Sequence, residues 1–232
     1  MLIIGHRGAA GHLPENTMPS FHKALELGAH GFELDVRITG DGKLVVVHNS
    51  VVGGQAIQNS NYADIRQLPD GYEIPLFEDF LKAFGRRAFL DIELKSPGFE
   101  EEALGLMQRH CDLTQTILSA FQPQTLLKVR QIAPDLPLGY IYNKTQEEES
   151  RHNCPIEYVI PQFRLASRDL INEVHGEGLK VFAWTVNDPQ EATRLMDLGI
   201  DGLISDYPEM LVQLVQGRSS EVHKLPPPKA GF

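Results

Sequence analysis

The chain has 232 residues, with 31 acidic against 21 basic side chains, a formal net charge of −10 and a hydrophobic fraction of 42%. That much apolar surface excludes disorder as the main state, and two cysteines exclude a disulfide scaffold. The acidic balance speaks against non-specific nucleic-acid binding, which needs a basic surface, but leaves room for an anionic small molecule held by local cations or a metal ion.

In chain order, Leu2–Gly5 reads as a short buried strand that ends on His6 and Arg7. A turn-rich stretch follows, and then a helix to about Leu27, capped by Asn16 or Thr17 and ended by Gly28. A second strand spans 31–36, and a turn at 40–42 leads into a further strand over 43–48. Residues 43–75 form an inserted excursion rich in Gly, Asn and Asp, followed by a helix from about Leu76 to Phe84. Thereafter strands at 88–94, 116–120, 138–142, 158–160, 180–185 and 202–204 alternate with helices near 101–111, 123–133, 168–177, 189–198 and 208–216. Residues 144–151 are a weak helical segment.

Eight strand–helix units imply a parallel sheet with right-handed crossovers. Over this length they point to an α/β fold of the (β/α)₈ barrel type, with a small insertion after the second strand. An open doubly wound sheet is the alternative, but the turn after the first strand lacks the glycine spacing of a nucleotide loop. We expect a single barrel domain over 1–217, with 43–75 as its excursion and 218–232 as an extended tail around Pro226–Pro228. No stretch approaches the length of a transmembrane helix, no basic segment precedes the first apolar run, and both thiols are expected to be reduced. The expectation is therefore a cytoplasmic protein without a stable membrane anchor.

Barrel chemistry sits at the C-terminal ends of strands, and the polar residues cluster there. Glu33 and Asp35 are two apart on a strand and share the lumen face. Two carboxylates in a low dielectric need either a divalent cation, magnesium or calcium by ligand type, or an ion-pair partner such as Arg7 or Lys95. Asp91, Glu93 and Lys95 repeat the alternation on the third barrel strand. Glu93 is placed to complete a site with Glu33 and Asp35, Lys95 to meet an anion, and Asp91 to make a buried polar contact. His6 and His48 end their strands and form a candidate acid/base pair. Glu15 would lie at the mouth beside Arg7 or a histidine, and Trp184, the single tryptophan, would wall a substrate pocket or simply pack.

These segments resemble the glycerophosphodiester phosphodiesterase family. His6-Arg7-Gly8, Pro14-Glu15-Asn16-Thr17, Glu33-Leu34-Asp35-Val36, His48, Glu93-Leu94-Lys95, Trp184-Thr185-Val186-Asn187 and Asp201-Gly202 with Ser205-Asp206-Tyr207-Pro208 match its motifs in order. The resemblance implies a metal-dependent barrel enzyme that hydrolyses glycerophosphodiesters, such as glycerophosphocholine, to glycerol 3-phosphate and an alcohol. It implies one divalent cation, magnesium or calcium, on Glu33, Asp35 and Glu93, with His6 and His48 as general acid and base. Arg7 and Lys95 would hold the phosphate. Asn49 stands where the family usually has aspartate, and the insertion lacks a match to the family's usual segment there. Two alternatives share these residues: a lysophospholipase D-type activity on lysophospholipids, and a non-catalytic phosphoester-binding protein.

Overall fold

A computed structural model describes residues 1–68, 70–145 and 149–222. Its main sheet contains β1 (Leu2–His6), β2 (Gly31–Ile38), β3 (Leu44–Val46), β6 (Phe89–Leu94), β7 (Thr116–Ala120), β8 (Leu138–Tyr142), β9 (Tyr158–Pro161), β10 (Lys180–Ala183) and β11 (Gly202–Ser205). Eight of these run parallel, each beside the next barrel strand in sequence, and β1 pairs with both β2 and β11. The sheet therefore closes, and the expected (β/α)₈ barrel is the fold. Strand β3 adds to the rim as an antiparallel partner of β2.

The period-two alternation of each strand divides two cores. On β2, Phe32, Leu34 and Val36 point outward. Phe32 meets Phe21 of α1 (Met18–Glu26) and Phe80 and Phe84 of α3 (Phe77–Phe84), with ring centroids 5.2–6.2 Å apart. The lumen is plugged by Ile4, Phe89, Ile117, Ile141, Tyr158, Ile160, Phe182 and Ile204. This apolar floor lies below the acidic residues and confines the polar chemistry to the C-terminal end. Close strand packing requires Gly31, where a Cβ would sit 1.9 Å from the Phe89 carbonyl oxygen.

The helices begin where the sequence supplies caps. Thr17 accepts from Ser20 N at the start of α1, Ser167 from Leu170 N at α6 (Arg168–Gly176), and Asp188 from Gln190 N and Glu191 N at α7 (Pro189–Asp197). Helices α4 (Glu100–His110) and α5 (Pro123–Ile132) complete the middle of the barrel.

The excursion is more ordered than its composition suggests. It contains a hairpin of β4 (Val51–Val52) and β5 (Gln55–Ala56) and the single turn α2 (Tyr62–Ile65). Val45, Val47, Ile57, Ile65 and Ile74 give it a small core of its own. Strand β3 is shorter than the expected 43–48, because the chain leaves the ladder after Val46 and carries His48 over the barrel mouth. At the other end, α8 (Pro208–Val222) extends into the segment expected to be an extended tail. Leu211 is buried against the barrel, and Arg218 pairs with Asp197 at 2.9 Å and donates to Thr193 O, which fixes the extra turns. The Pro-rich end of that tail lies outside the described residues. In the weak segment 144–151, Glu149–Asn153 form a short 3₁₀ turn, and 146–148 lie outside the described residues. Among the described residues, no helix is long and apolar enough to cross a membrane.

Candidate active site

The barrel register assembles the site. His6 lies beside Glu33, Glu33 beside Asp91, and Asp35 beside Glu93. Ligand atoms of Glu33, Asp35 and Glu93 all lie within 4.8 Å of one another, and all three residues are buried. Asp35 is fully enclosed. It receives Asn16 Nδ2 on Oδ2 at 2.8 Å, and Arg7 Nε lies 3.0 Å from the same oxygen. Its Oδ1 has no hydrogen bond, although Lys95 Nζ lies 3.2 Å away. Lys95 Nζ also reaches Glu93 Oε1 at 2.6 Å.

These groups perturb one another in opposite directions. Burial raises the Asp35 carboxyl, but Lys95, Arg7, His48 and Asn16 more than offset it and hold Asp35 below the usual carboxylate range. Burial, and then the nearby Asp35 charge, pushes Glu33 well above its ordinary value and Glu93 up to about 7. Burial, with a contribution from the Asp35 charge and against the Ser119 hydrogen bond, lifts Asp91, beneath them, to about 7. Asp91 Oδ1 accepts from Ser119 Oγ at 2.5 Å, as a buried polar contact should, while Oδ2 has no partner. Burial opposes the charge on Lys95, but Glu93 and Asp35 outweigh it and raise its pKa.

Carboxylates that repel one another, with one orphaned buried oxygen among them, are the donor set of a hard divalent cation. The three residues fit such an ion, with Lys95 as the counter-charge that Asp35 and Glu93 have here. Of the two readings left by the sequence, the ion pairs to Arg7 and Lys95 are formed here, by the same carboxylates whose grouping would suit a metal.

The two histidines face the same cavity, of about 190 Å³, together with Arg7, Lys95, Phe121 and Trp184. His6 Nδ1 is 2.6 Å from Asp206 Oδ1, which turns Nε2 inward to within 3.8 Å of Glu33. Asn187 Nδ2 holds the other oxygen of Asp206. Burial raises Asp206, but the hydrogen bond and charge of His6, with Asn187, bring it below its ordinary value. His48 Nδ1 lies 3.1 Å from Asn49 Oδ1. Burial, aided by Arg7 and Lys95 and opposed by Asp35, lowers the His48 pKa.

Arg7 occupies a left-handed backbone conformation, φ 52°, and the following Gly8 has φ 89°. This tight turn swings Arg7 back over the end of β2, and Arg7 N donates to Glu33 O at 2.9 Å and to Glu33 Oε2 at 3.2 Å. Glu15 pairs with Arg7 Nη1 at 2.7 Å but does not line the cavity. Trp184 donates Nε1–H to Ile160 O at 3.0 Å and stands edge-on to Phe121, so packing and walling coincide.

Several residues of the site escaped the sequence reading. Asn16 holds Asp35 rather than capping α1, which Thr17 does. Asp206 stands in a recognised segment without a role, because its contact with His6 exists only once β11 closes on β1. Asn187 likewise stands in a matched segment without a role, and Phe121 gave no signal of its own.

The profile of the glycerophosphoryl diester phosphodiesterase family matches residues 6–210. A glycerophosphodiester phosphodiesterase of Caldanaerobacter subterraneus is 32% identical, with the alignment covering 93% of this chain and 98% of that protein. One from Bacillus subtilis is 28% identical, covering 94% and 87%. Among solved structures, an Oleispira antarctica phosphodiesterase in complex with the product sn-glycerol-3-phosphate superposes with a TM-score of 0.84 at 25% identity, covering 93% of this chain and 97% of that one.

Proposed function

From the premise that the chain belongs to the glycerophosphoryl diester phosphodiesterase family, and is an enzyme, we propose that it hydrolyses small glycerophosphodiesters to glycerol 3-phosphate and an alcohol at the mouth of the barrel. The observation that carries this reading is the convergence of two histidines, Glu33, Glu93 and two cations on one cavity wall, with Asp35 buried behind them. A phosphodiester resists attack because its anionic oxygens repel nucleophiles. A site that hydrolyses one must neutralise that charge, take a proton and return one.

Glu33, Asp35 and Glu93 would hold the divalent cation, magnesium or calcium. When bound, it supplies charge neutralisation on the phosphate and lowers the pKa of a coordinated hydroxyl. Arg7 and Lys95 flank the same carboxylates and are placed to receive the remaining anionic oxygen. Asp35 and Glu15 restrain Arg7 from either end, so its guanidinium needs little reorganisation to bind.

The surroundings support distinct roles for the histidines. His48 has its pKa lowered, and with Nδ1–H donated to Asn49 its Nε2 carries a lone pair. It is suited to take the proton of the attacking hydroxyl, from water or from the substrate's own glycerol. His6 is held on Asp206, which turns Nε2 toward the cavity, and is suited to protonate the departing alkoxide through Nε2. The Asn49 hydrogen bond orients the ring and favours its charged form, but burial together with Arg7 and Lys95 outweighs it, which favours the base role.

The cavity is small beside the roughly 300–1,000 Å³ of drug-sized sites, which favours a compact polar substrate over a lysophospholipid. The test is release of glycerol 3-phosphate from glycerophosphocholine, with lysophosphatidylcholine alongside. Turnover of the first that falls about 10²–10⁴-fold in His6→Ala and in His48→Ala is expected. Preferential turnover of the lysolipid would move the substrate to that class. Binding without turnover of either would leave a phosphoester-binding protein.

A further inference from the structure

Strand β2 carries a third inward-facing charged residue. Glu33, Asp35 and Arg37 alternate on one face, so Arg37 stands one step above the carboxylate cluster, at the rim. Its Nε–H donates to His48 O at 2.8 Å. Of the three cations around the mouth, Arg7 and Lys95 are each within ion-pair distance of two carboxylates. Among the described residues, no carboxylate lies within that distance of the Arg37 guanidinium.

Arg37 lines a second cavity of about 260 Å³, beneath the β4–β5 hairpin, together with Ser50, Gln58, Ser96 and Pro97. Ser50 lies two residues beyond His48, and Ser96 follows Lys95, so the segments that supply the first cavity's histidine and lysine continue into the wall of the second. Its side-chain hydrogen-bonding groups are the fork of one guanidinium, two hydroxyls and an amide, and it contains no acid. Asp35 and Glu93 act on the Arg37 charge from beyond ion-pair distance, whereas the cavity that Arg37 faces holds no acid.

We propose that this cavity is a subsite for an anionic substituent, a carboxylate or a phosphate monoester, on the alcohol portion of the substrate, with the Arg37 guanidinium as its receptor. The proposal rests on the phosphodiesterase reading and names the substrate class within it. With the phosphate against Arg7 and Lys95, the enclosed cavity accommodates one ester arm above its apolar floor, and the other arm leaves past His48 and Lys95. The glycerol arm has no charge of its own, so only the alcohol can bring an anion to Arg37. The Nε–H bond to His48 O fixes the guanidinium plane, leaving its terminal NH₂ groups for a bidentate contact.

Glycerophosphoserine and glycerophosphoethanolamine differ by one carboxylate and form the matched pair for the test. In the full chain with magnesium, kcat/KM is expected to favour the serine diester about tenfold, the effect of one charge-assisted hydrogen-bonded contact. Arg37→Gln and Ser50→Asp should each collapse that ratio toward one, and Arg37→Lys should keep part of it. A wild-type ratio near one overturns the subsite. So does a ratio unmoved by Arg37→Gln while both rates fall together, because Arg37 then only supports His48. Calorimetric binding of phosphoserine against phosphoethanolamine separates this proposal from the functional reading. A phosphoserine preference lost in Arg37→Gln, in a protein that hydrolyses neither diester, would keep the subsite and overturn the hydrolysis. Equal affinities would overturn the subsite.

Discussion

Replacing Asp91 by asparagine should stabilise the metal-free protein, and by more as pH rises. Asp91 is fully buried, one oxygen satisfied by Ser119 and the other without a partner. Burial lifts its pKa from 3.8 to about 7. Because the folded state holds this proton more tightly than the unfolded state, the residue favours folding most at acidic pH. That contribution is lost as pH rises from about 4 to about 7, and the loss is complete above the folded value. Each pH unit in that window corresponds to about 1.4 kcal/mol, so the full interval amounts to about 4 kcal/mol. Asparagine keeps the size and the acceptor for Ser119 but cannot ionise. Between pH 5 and pH 8 its advantage over the wild type should grow by about 3 kcal/mol, two units at about 1.4 each. Urea unfolding of both proteins in chelator, at unit pH steps from 5 to 8, measures the difference, and loss of the Asp91 charge, which raises Glu33 and Glu93, adds to the asparagine advantage in the same direction. Parallel stability curves for the two proteins would refute the reasoning.

Asp206→Asn should leave the fold intact but remove the carboxylate that orients the His6 ring. We expect kcat to fall about 10²-fold with KM little changed; an unchanged kcat would dissociate Asp206 from His6. Phe84→Ala removes a fully buried ring packed tilted or edge-on among Phe21, Phe32 and Phe80, and should cost about 3–5 kcal/mol in denaturant unfolding with KM unchanged for the surviving enzyme. Thr17→Ala removes the cap of α1 and should cost about 1 kcal/mol, whereas Asn16→Ala should instead weaken activity by releasing Asp35, a contrast read by running unfolding and turnover on both.

The barrel was legible because strand after strand spelled its two faces. Leu90, Ile92 and Leu94 alternate with Asp91, Glu93 and Lys95, and no helix or exposed strand accommodates that pattern as economically as a closed barrel with a polar end. The carboxylate cluster was legible for the same reason, since residues two apart must share a face. Contacts made by closure were not. His6 and Asp206 are 200 residues apart, and nothing local to either predicts their meeting. The sequence leaves the cap to Asn16 or Thr17, because either type suits it; a left-handed backbone at Asn16 turns its amide toward Asp35 and leaves the cap to Thr17. The extra turns of α8 were invisible because their anchors, Asp197 and Thr193, belong to the preceding helix.

We propose that Glu33, Asp35 and Glu93 form one divalent-cation site that serves hydrolysis beside His6 and His48. Its most direct test is to strip the protein with chelator and titrate magnesium, and separately calcium, while following both calorimetric binding and glycerol 3-phosphate release from glycerophosphocholine. The account predicts saturation at one ion per chain, activity rising in step with occupancy for at least one of the two metals, and loss of both signals in Glu33→Gln. Full turnover in the stripped protein, or stoichiometric binding that survives Glu33→Gln unchanged, would contradict it.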